Sequence, residues 1–258
     1  MPDFLSKLIS DARERIRSGY YDVKVTVNHQ PVSLKQVIKS AQNNAIIAEI
    51  KPISPALGPL RPDIDPVKAA VKLTKGGAVA LSVLTEPDNF GGSLDNLRKI
   101  RSSVTVPLLM KDIIIDKTQI QAGRRAGADC VLLIEGVFYG YGVGSLEELI
   151  QFAHERDLEV FLEVHDADEL GRALKSEADI VGVNNRNLST LEIDLETTSR
   201  LMANITQRAG KLLISESGLE SADDIRKLKP TAVDGYLIGS SIMLSQNLES
   251  KVREFVLA

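Results

Sequence analysis

A closed (β/α)8 TIM barrel, eight parallel strands each followed by a helix, is the fold this 258-residue chain predicts. Three observations point to it. Eight short apolar runs recur along the chain, amphipathic stretches of helical length separate them, and no GxGxxG fingerprint follows the first run. An open doubly wound sheet is the alternative arrangement of the same units, and the missing fingerprint weakens it. One barrel domain covering 1–258 suits this length.

Residues 1–44 precede the first strand and predict an N-terminal helical extension packed on the barrel, carried by "FLSKLISDARERI" and "SLKQVIKSAQ". The strands follow as "AIIAEI" (45–50), "VALSVL" (79–84), "VPLLM" (106–110), "CVLLI" (130–134), "EVFLEV" (159–164), "DIVGV" (179–183), "KLLIS" (211–215) and "GYLIG" (235–239). Rich in Val, Ile and Leu and without polar alternation, they read as parallel strands covered on both faces. The intervening segments carry helix punctuation. Asp65-Pro66 opens "VKAAVKLTKGG", and Ser145 caps "SLEELIQFAHERD" with Glu148 placed to complete a capping box. The stretch "EGVFYGYGVGSL", with glycines at 136, 140, 142 and 144, predicts a mobile loop after the fourth strand.

A net charge of −4 argues against a nucleic-acid or anionic-membrane binder, although a local basic pocket stays allowed. The opening segment lacks the apolar stretch of a signal peptide, and no run reaches the 18 or so apolar residues of a membrane span. A cytoplasmic protein is expected. The single Cys130 excludes an internal disulfide and any cysteine-cluster metal site, and it reads as an inert core thiol. Three dispersed histidines show no metal-ligand spacing, so no metal is expected. His29 and His154 read as surface residues, while His165 suits a structural role at a helix start as well as catalysis.

In such a barrel the active site lies where the strands end. Residues two apart on a strand share a face, so Glu49 and Lys51 project together from the first strand. Lys111 ends the third, Glu163 the fifth, Asn184 with Arg186 the sixth, and Glu216 the seventh. Bland alternatives exist for each. Lys111 adjoins Asp112, so one of the two could be a rim charge; Glu49 and Lys51 could pair only with each other; Glu163 and Glu216 could be capping or interior ion-pair groups; and "NNRN" could simply turn the chain. After the last two strands, Ser217-Gly218 and Gly239-Ser240-Ser241 offer close backbone approach and free N–H groups, as a phosphate site requires.

Taken together, "IIAEIKPISP", "LSVLTEPDNFGGSLDNL", "VPLLMKDIIID", "GADCVLLI", "LEVHDADEL", "VGVNNRNLSTLEIDLETT", "ISESGL" and "YLIGSSIM" resemble the indole-3-glycerol-phosphate synthase family of tryptophan biosynthesis, over nearly the whole chain from residue 44. The resemblance implies a carboxy-lyase that needs no cofactor. It converts 1-(2-carboxyphenylamino)-1-deoxyribulose 5-phosphate to indole-3-glycerol phosphate, releasing carbon dioxide and water. By the same resemblance Lys111 is the acid for ring closure, and Lys51 and Glu163 hold the remaining acid–base positions without assignment to a step. Glu49 holds or relays protons beside Lys51. Asn184, Arg186 and Glu216 bind substrate; Ser54, Ser217, Gly218, Gly239 and Ser240 contact phosphate and substrate; Phe90, Leu132 and Leu237 wall the anthranilate ring. The implied partner is a small anionic sugar phosphate, with room left for transient contact with other enzymes of the pathway.

The chain departs from the family pattern at Pro52 and Ala56, where arginine and a second serine are usual, and at Ile113, where phenylalanine is usual in the ring wall. Two rival readings remain at this level. One is another sugar-phosphate barrel, such as phosphoribosylanthranilate isomerase or a lysine-dependent aldolase. The other is a non-catalytic barrel that binds an anionic metabolite.

Overall fold

The computed structural model describes residues 3–205 and 207–258. Eight parallel strands close into a barrel: β1 (Ile46–Ile50), β2 (Ala80–Leu84), β3 (Leu108–Lys111), β4 (Cys130–Ile134), β5 (Glu159–Val164), β6 (Ile180–Asn184), β7 (Leu212–Glu216) and β8 (Gly235–Ile238). Each strand pairs with its neighbours in sequence, and β8 returns to β1 with Ile46 beside Tyr236 and Ala48 beside Ile238. Every residue of β1, β2, β4, β6, β7 and β8 is buried, which is why these runs carry no polar alternation.

The connections are helical, as their punctuation predicts. Asp65 accepts from the N–H groups of Val67 and Lys68, with Pro66 at the first position of the helix Pro66–Lys75. Ser145 caps the helix Leu146–His154, but the Glu148 carboxylate pairs with Lys117 at 3.2 Å, so the expected reciprocal half of that box is taken by a charge partner on another helix. The glycine-rich stretch is also more ordered than a loop. It opens with a helical turn, Glu135–Tyr139, whose buried Glu135 is held by the Arg172 guanidinium.

At the floor of the mouth, Gly182 on β6 makes room for larger neighbours. A β-carbon there would lie 2.1 Å from Phe161 Cε1 and 2.5 Å from Glu216 Oε1. The ring of Phe161, fully buried, therefore closes the barrel interior just below the strand-end carboxylates.

Two helices precede the barrel, Phe4–Arg17 and Leu34–Ser40. The first packs beside the mouth, where Leu8 lines the central cavity. The chain then runs in extended form to the opposite end, where Val32 N–H donates to Asp129 Oδ1 and Ser33 and Lys35 engage Glu159. His29 belongs to this underside. Read from sequence as a surface residue, it is half-buried with Nε2 3.2 Å from Asp129, because Asp129 collects the extended segment and Arg101 at one point. His154 is exposed, as expected.

Candidate active site

At the C-terminal ends of the strands lies a cavity of about 490 Å³. Of the residues singled out from sequence, Glu49, Lys51, Phe90, Lys111, Ile113, Leu132, Glu163, Asn184, Arg186, Glu216, Ser217, Gly218, Leu237, Gly239 and Ser240 all line it. Ser54 does not. It is buried in a short hairpin, Ile53–Ser54 against Gly58–Pro59, and the turn at Pro52 breaks the strand parity that carries Glu49 and Lys51 inward.

The strand ends meet through direct contacts. Lys111 Nζ sits 2.8 Å from Glu163 Oε2 and 3.5 Å from Glu216 Oε2. Lys51 Nζ lies 3.0 Å from Glu49 Oε1, whose other oxygen accepts from Ser82 at 3.2 Å. Asn184 Nδ2 donates to Glu163 Oε1 at 2.6 Å, and Asn184 Oδ1 accepts the Arg186 N–H at 2.9 Å. The bland readings of Glu49 and Glu163 thus describe real ion pairs, and those pairs form inside the cavity.

These contacts set the charges. Burial disfavours the Lys111 ammonium, but the carboxylates of Glu163, Glu216 and Glu49 outweigh it and hold the group above the ordinary lysine range. Burial also opposes the Glu49 carboxylate, yet Lys51 and Lys111 keep it below the ordinary value. Glu216 goes the other way: burial, then the charge of Glu163, push it up to about 8. The Arg186 guanidinium is lowered by burial, and its Nη1 donates to the Leu191 carbonyl at 2.9 Å.

Beyond β7 and β8 the backbone changes character. Ser217 and Gly218 both have positive φ, 69° and 79°, the former uncommon for a residue with a side chain. A β-carbon on Gly218 would lie 2.7 Å from Ile193 Cγ2, and one on Gly239 would lie 2.6 Å from Glu49 Oε1. Only glycine allows both approaches. The short helix Ser240–Leu244 then begins at the cavity wall with first-turn N–H groups that have no partner within the helix.

The structure adds two groups the sequence reading passed over, Glu86 and Arg15, and it makes neither Lys111 nor Asp112 a rim charge: Lys111 is paired in the cavity and Asp112 is buried. Glu86 and Asp112 line the cavity on the side facing the N-terminal helix. Glu86 accepts from Arg15 Nη1 at 2.8 Å and from the N–H groups of Asn89 and Phe90 at 2.7 and 2.9 Å, so it fixes the backbone that presents the Phe90 ring. Asp112, raised by burial, accepts from Thr85 Oγ1 at 2.6 Å and from Tyr21. Glu86 lies two residues past the end of the second apolar run, as Arg186 lies two past the sixth strand, and the strand-end rule applied there points to it. Arg15 lies 71 residues away and carries no such signal. His165 adjoins the site without entering the cavity, its Nδ1 2.9 Å from the Asn184 carbonyl. Cys130 is fully buried on β4 and its thiol is pushed up by burial, as befits core.

Among the described residues no group of three or more His, Cys, Asp or Glu side chains could hold a metal ion, and no helix is long and apolar enough to cross a membrane. A parallel barrel whose mouth concentrates paired ammonium and carboxylate groups beside a glycine cradle is the architecture of an acid–base enzyme. Comparison with known proteins narrows the class. The profile described as indole-3-glycerol phosphate synthase matches residues 6–255. Relatives of that name from Aliarcobacter butzleri (38% identical, covering 89% of this chain and 86% of theirs), Acetivibrio thermocellus (40%, 88% and 85%) and Haloarcula marismortui (40%, 93% and 85%) align along nearly the whole length. The chain belongs to the indole-3-glycerol phosphate synthase family, the ring-closing enzymes of tryptophan biosynthesis. Among solved structures, thiamine phosphate pyrophosphorylase from Pyrococcus furiosus (TM-score 0.62, 16% identical, covering 86% of this chain and 96% of that one) and the N-acetylmannosamine-6-phosphate 2-epimerase from Clostridium perfringens (0.59, 12%, 84% and 93%) share the barrel alone.

Proposed function

We propose that this chain closes the indole ring of 1-(2-carboxyphenylamino)-1-deoxyribulose 5-phosphate, giving indole-3-glycerol phosphate, carbon dioxide and water. The observation that carries the reading is the position of Lys111: its ammonium stands between Glu163 and Glu216 in a cavity with an apolar wall and a glycine cradle.

Leu132, Leu237, Phe90 and Ile113 receive the anthranilate ring. Backbone N–H groups at Gly218, Gly239 and Ser240 take the phosphate, with the Arg186 guanidinium on the same cavity lining. With both ends held, the ring carbon bearing the carboxylate attacks the ketone carbon. The ketone oxygen becomes an alkoxide as the bond forms, and Lys111 protonates it. The high affinity of Lys111 for its proton keeps it charged at neutral pH, while the alkoxide is more basic still, so the transfer runs downhill. Carbon dioxide then leaves, and its bonding electrons restore the aromatic ring.

Dehydration completes the indole. An acid protonates the hydroxyl as it departs as water, and a base removes a proton from the carbon beside the nitrogen. Lys51 and Glu163 supply these roles, with Glu49 holding Lys51 in place at 3.0 Å. Ile113 replaces an aromatic wall by a smaller aliphatic one, which changes ring packing and leaves the proton donors in position. The test is direct: purified protein incubated with the substrate should release carbon dioxide and fluorescent indole product in equal amounts. Substrate binding without either product would overturn the proposal.

A further inference from the structure

The inner cluster holds more negative than positive groups. Glu49, Glu163 and Glu216 are nearly fully buried, at 4%, 2% and 2% exposure; among the described residues Lys51 and Lys111 pair with them directly, and the Arg186 guanidinium on the same cavity lining feels the charge of Glu49 without pairing with it. The partners are unevenly shared. Glu49 has Lys51 and Ser82, and Glu163 has Lys111 and Asn184 at close range. Glu216 has a contact of 3.5 Å to Lys111 through Oε2, and its Oε1 has no hydrogen-bond partner among the described residues. That oxygen rests against Gly182 and Phe161, where a delocalised carboxylate would leave half its charge on an atom without a donor. A neutral carboxylic acid leaves only a carbonyl-type oxygen there, at far smaller cost.

We infer that the substrate-free cluster holds one extra proton, on Glu216, and that this proton recharges Lys111 after Lys111 has protonated the substrate oxygen. The second half rests on the reaction proposed above; the first stands on the free protein. The transfer moves a proton from Glu216 Oε2 to the Lys111 amine 3.5 Å away and leaves a Glu216 carboxylate beside a restored ammonium. Dehydration spends a second proton on the departing hydroxyl and recovers one from the substrate carbon. The one proton consumed when the substrate carboxylate leaves as carbon dioxide is therefore taken up from solvent and refills Glu216, and the enzyme ends the cycle as it began. Burial and the negative charge of Glu163 favour the neutral form, and Lys111 opposes them. The groups facing Glu216 are Glu163 on β5, Lys111 on β3 and Glu49 on β1, while its register partners Asn184 and Leu237 are uncharged. With Glu216 neutral, Lys51 and Lys111 balance Glu49 and Glu163, and the Arg186 charge is left over for an anionic substrate.

Infrared and carboxyl-carbon NMR titration of the substrate-free protein tests this. A protonated carboxyl should be present at pH 7, lost as pH rises through about 8, and missing from Glu216→Gln. In Glu163→Gln, which removes the adjacent negative charge, its midpoint should move to lower pH. Glu169, half-buried and raised to about 7 by burial, titrates separately and should be unaffected by either change. In turnover, the alkaline limb of kcat should fall about tenfold per pH unit and be absent in Glu216→Gln. A parent with no such carboxyl at pH 7, a midpoint unmoved by Glu163→Gln, or an alkaline limb that survives in Glu216→Gln would overturn the inference. If Glu216→Gln fails to fold, the parent and Glu163→Gln titrations still decide it. A parent that shows the titration but makes no indole would refute the proposed reaction and leave the proton assignment standing.

Discussion

Replacing Lys111 by methionine keeps the apolar stem of the side chain and removes its charge from between Glu163 and Glu216. Two losses follow. Without the acid, kcat should fall by about 10² to 10⁴, equivalent to about 2.7–5.4 kcal/mol of barrier. The folded state also loses the counter-charge of the buried Glu163 carboxylate, and breaking such a pair costs about 3–5 kcal/mol at neutral pH. The sign of the pH dependence is fixed by the shifts. In the parent, the raised Lys111 value means that its contribution is complete below the ordinary lysine range and is lost only as pH rises through the still higher folded value. In the variant, Glu216, raised by burial and by the charge of Glu163, loses the Lys111 cation that opposes that shift and favours its neutral form further, so stability is retained in acid and lost as pH climbs. Urea unfolding at pH 5 and pH 8, beside the indole fluorescence assay, should show a small deficit at the lower pH and a large one at the higher. A deficit equal at both, or an activity loss of only two- or three-fold, would refute the reasoning.

Three other outcomes are expected. Gly239→Ala brings a β-carbon 2.6 Å from Glu49 Oε1, so it should displace Glu49 from Lys51 and lower kcat at least tenfold, with a melting temperature shift showing whether the fold survives. Arg15→Met strips the buried Glu86 of its cation, which should destabilise by about 3–5 kcal/mol in urea titration and raise KM through the loosened Phe90 backbone. Cys130 should resist alkylation in the native protein and react only on unfolding, as measured by mass spectrometry with and without denaturant, because burial both covers its thiol and disfavours the thiolate.

The barrel was legible because its strands are covered on both faces, which leaves each as an unbroken run of Val, Ile and Leu. The site was legible for the same reason, since a Lys or Glu ending such a run, like Lys111 or Glu163, stands out against it. Ser54 rests on its match to the family's contacts and not on strand parity, and it shows a limit of that match: past the turn at Pro52 it is buried in a short hairpin outside the cavity lining. Glu135 shows a second limit, for the glycines around it suggest freedom while one buried carboxylate against Arg172 orders the turn. The Arg15–Glu86 pair shows a third. Neither its partners nor its aim can be read from spacing, because the contact joins the N-terminal helix to the loop after β2 and exists only once the barrel is closed.

The most direct measurement is a crystal structure with a substrate analogue whose ketone is reduced to an alcohol. The phosphate should sit against Gly218, Gly239 and Ser240, the ring against Leu132 and Leu237, and the alcohol oxygen within hydrogen-bond reach of Lys111 Nζ. An analogue bound with its phosphate elsewhere, or with that oxygen out of reach of Lys111, would contradict the account.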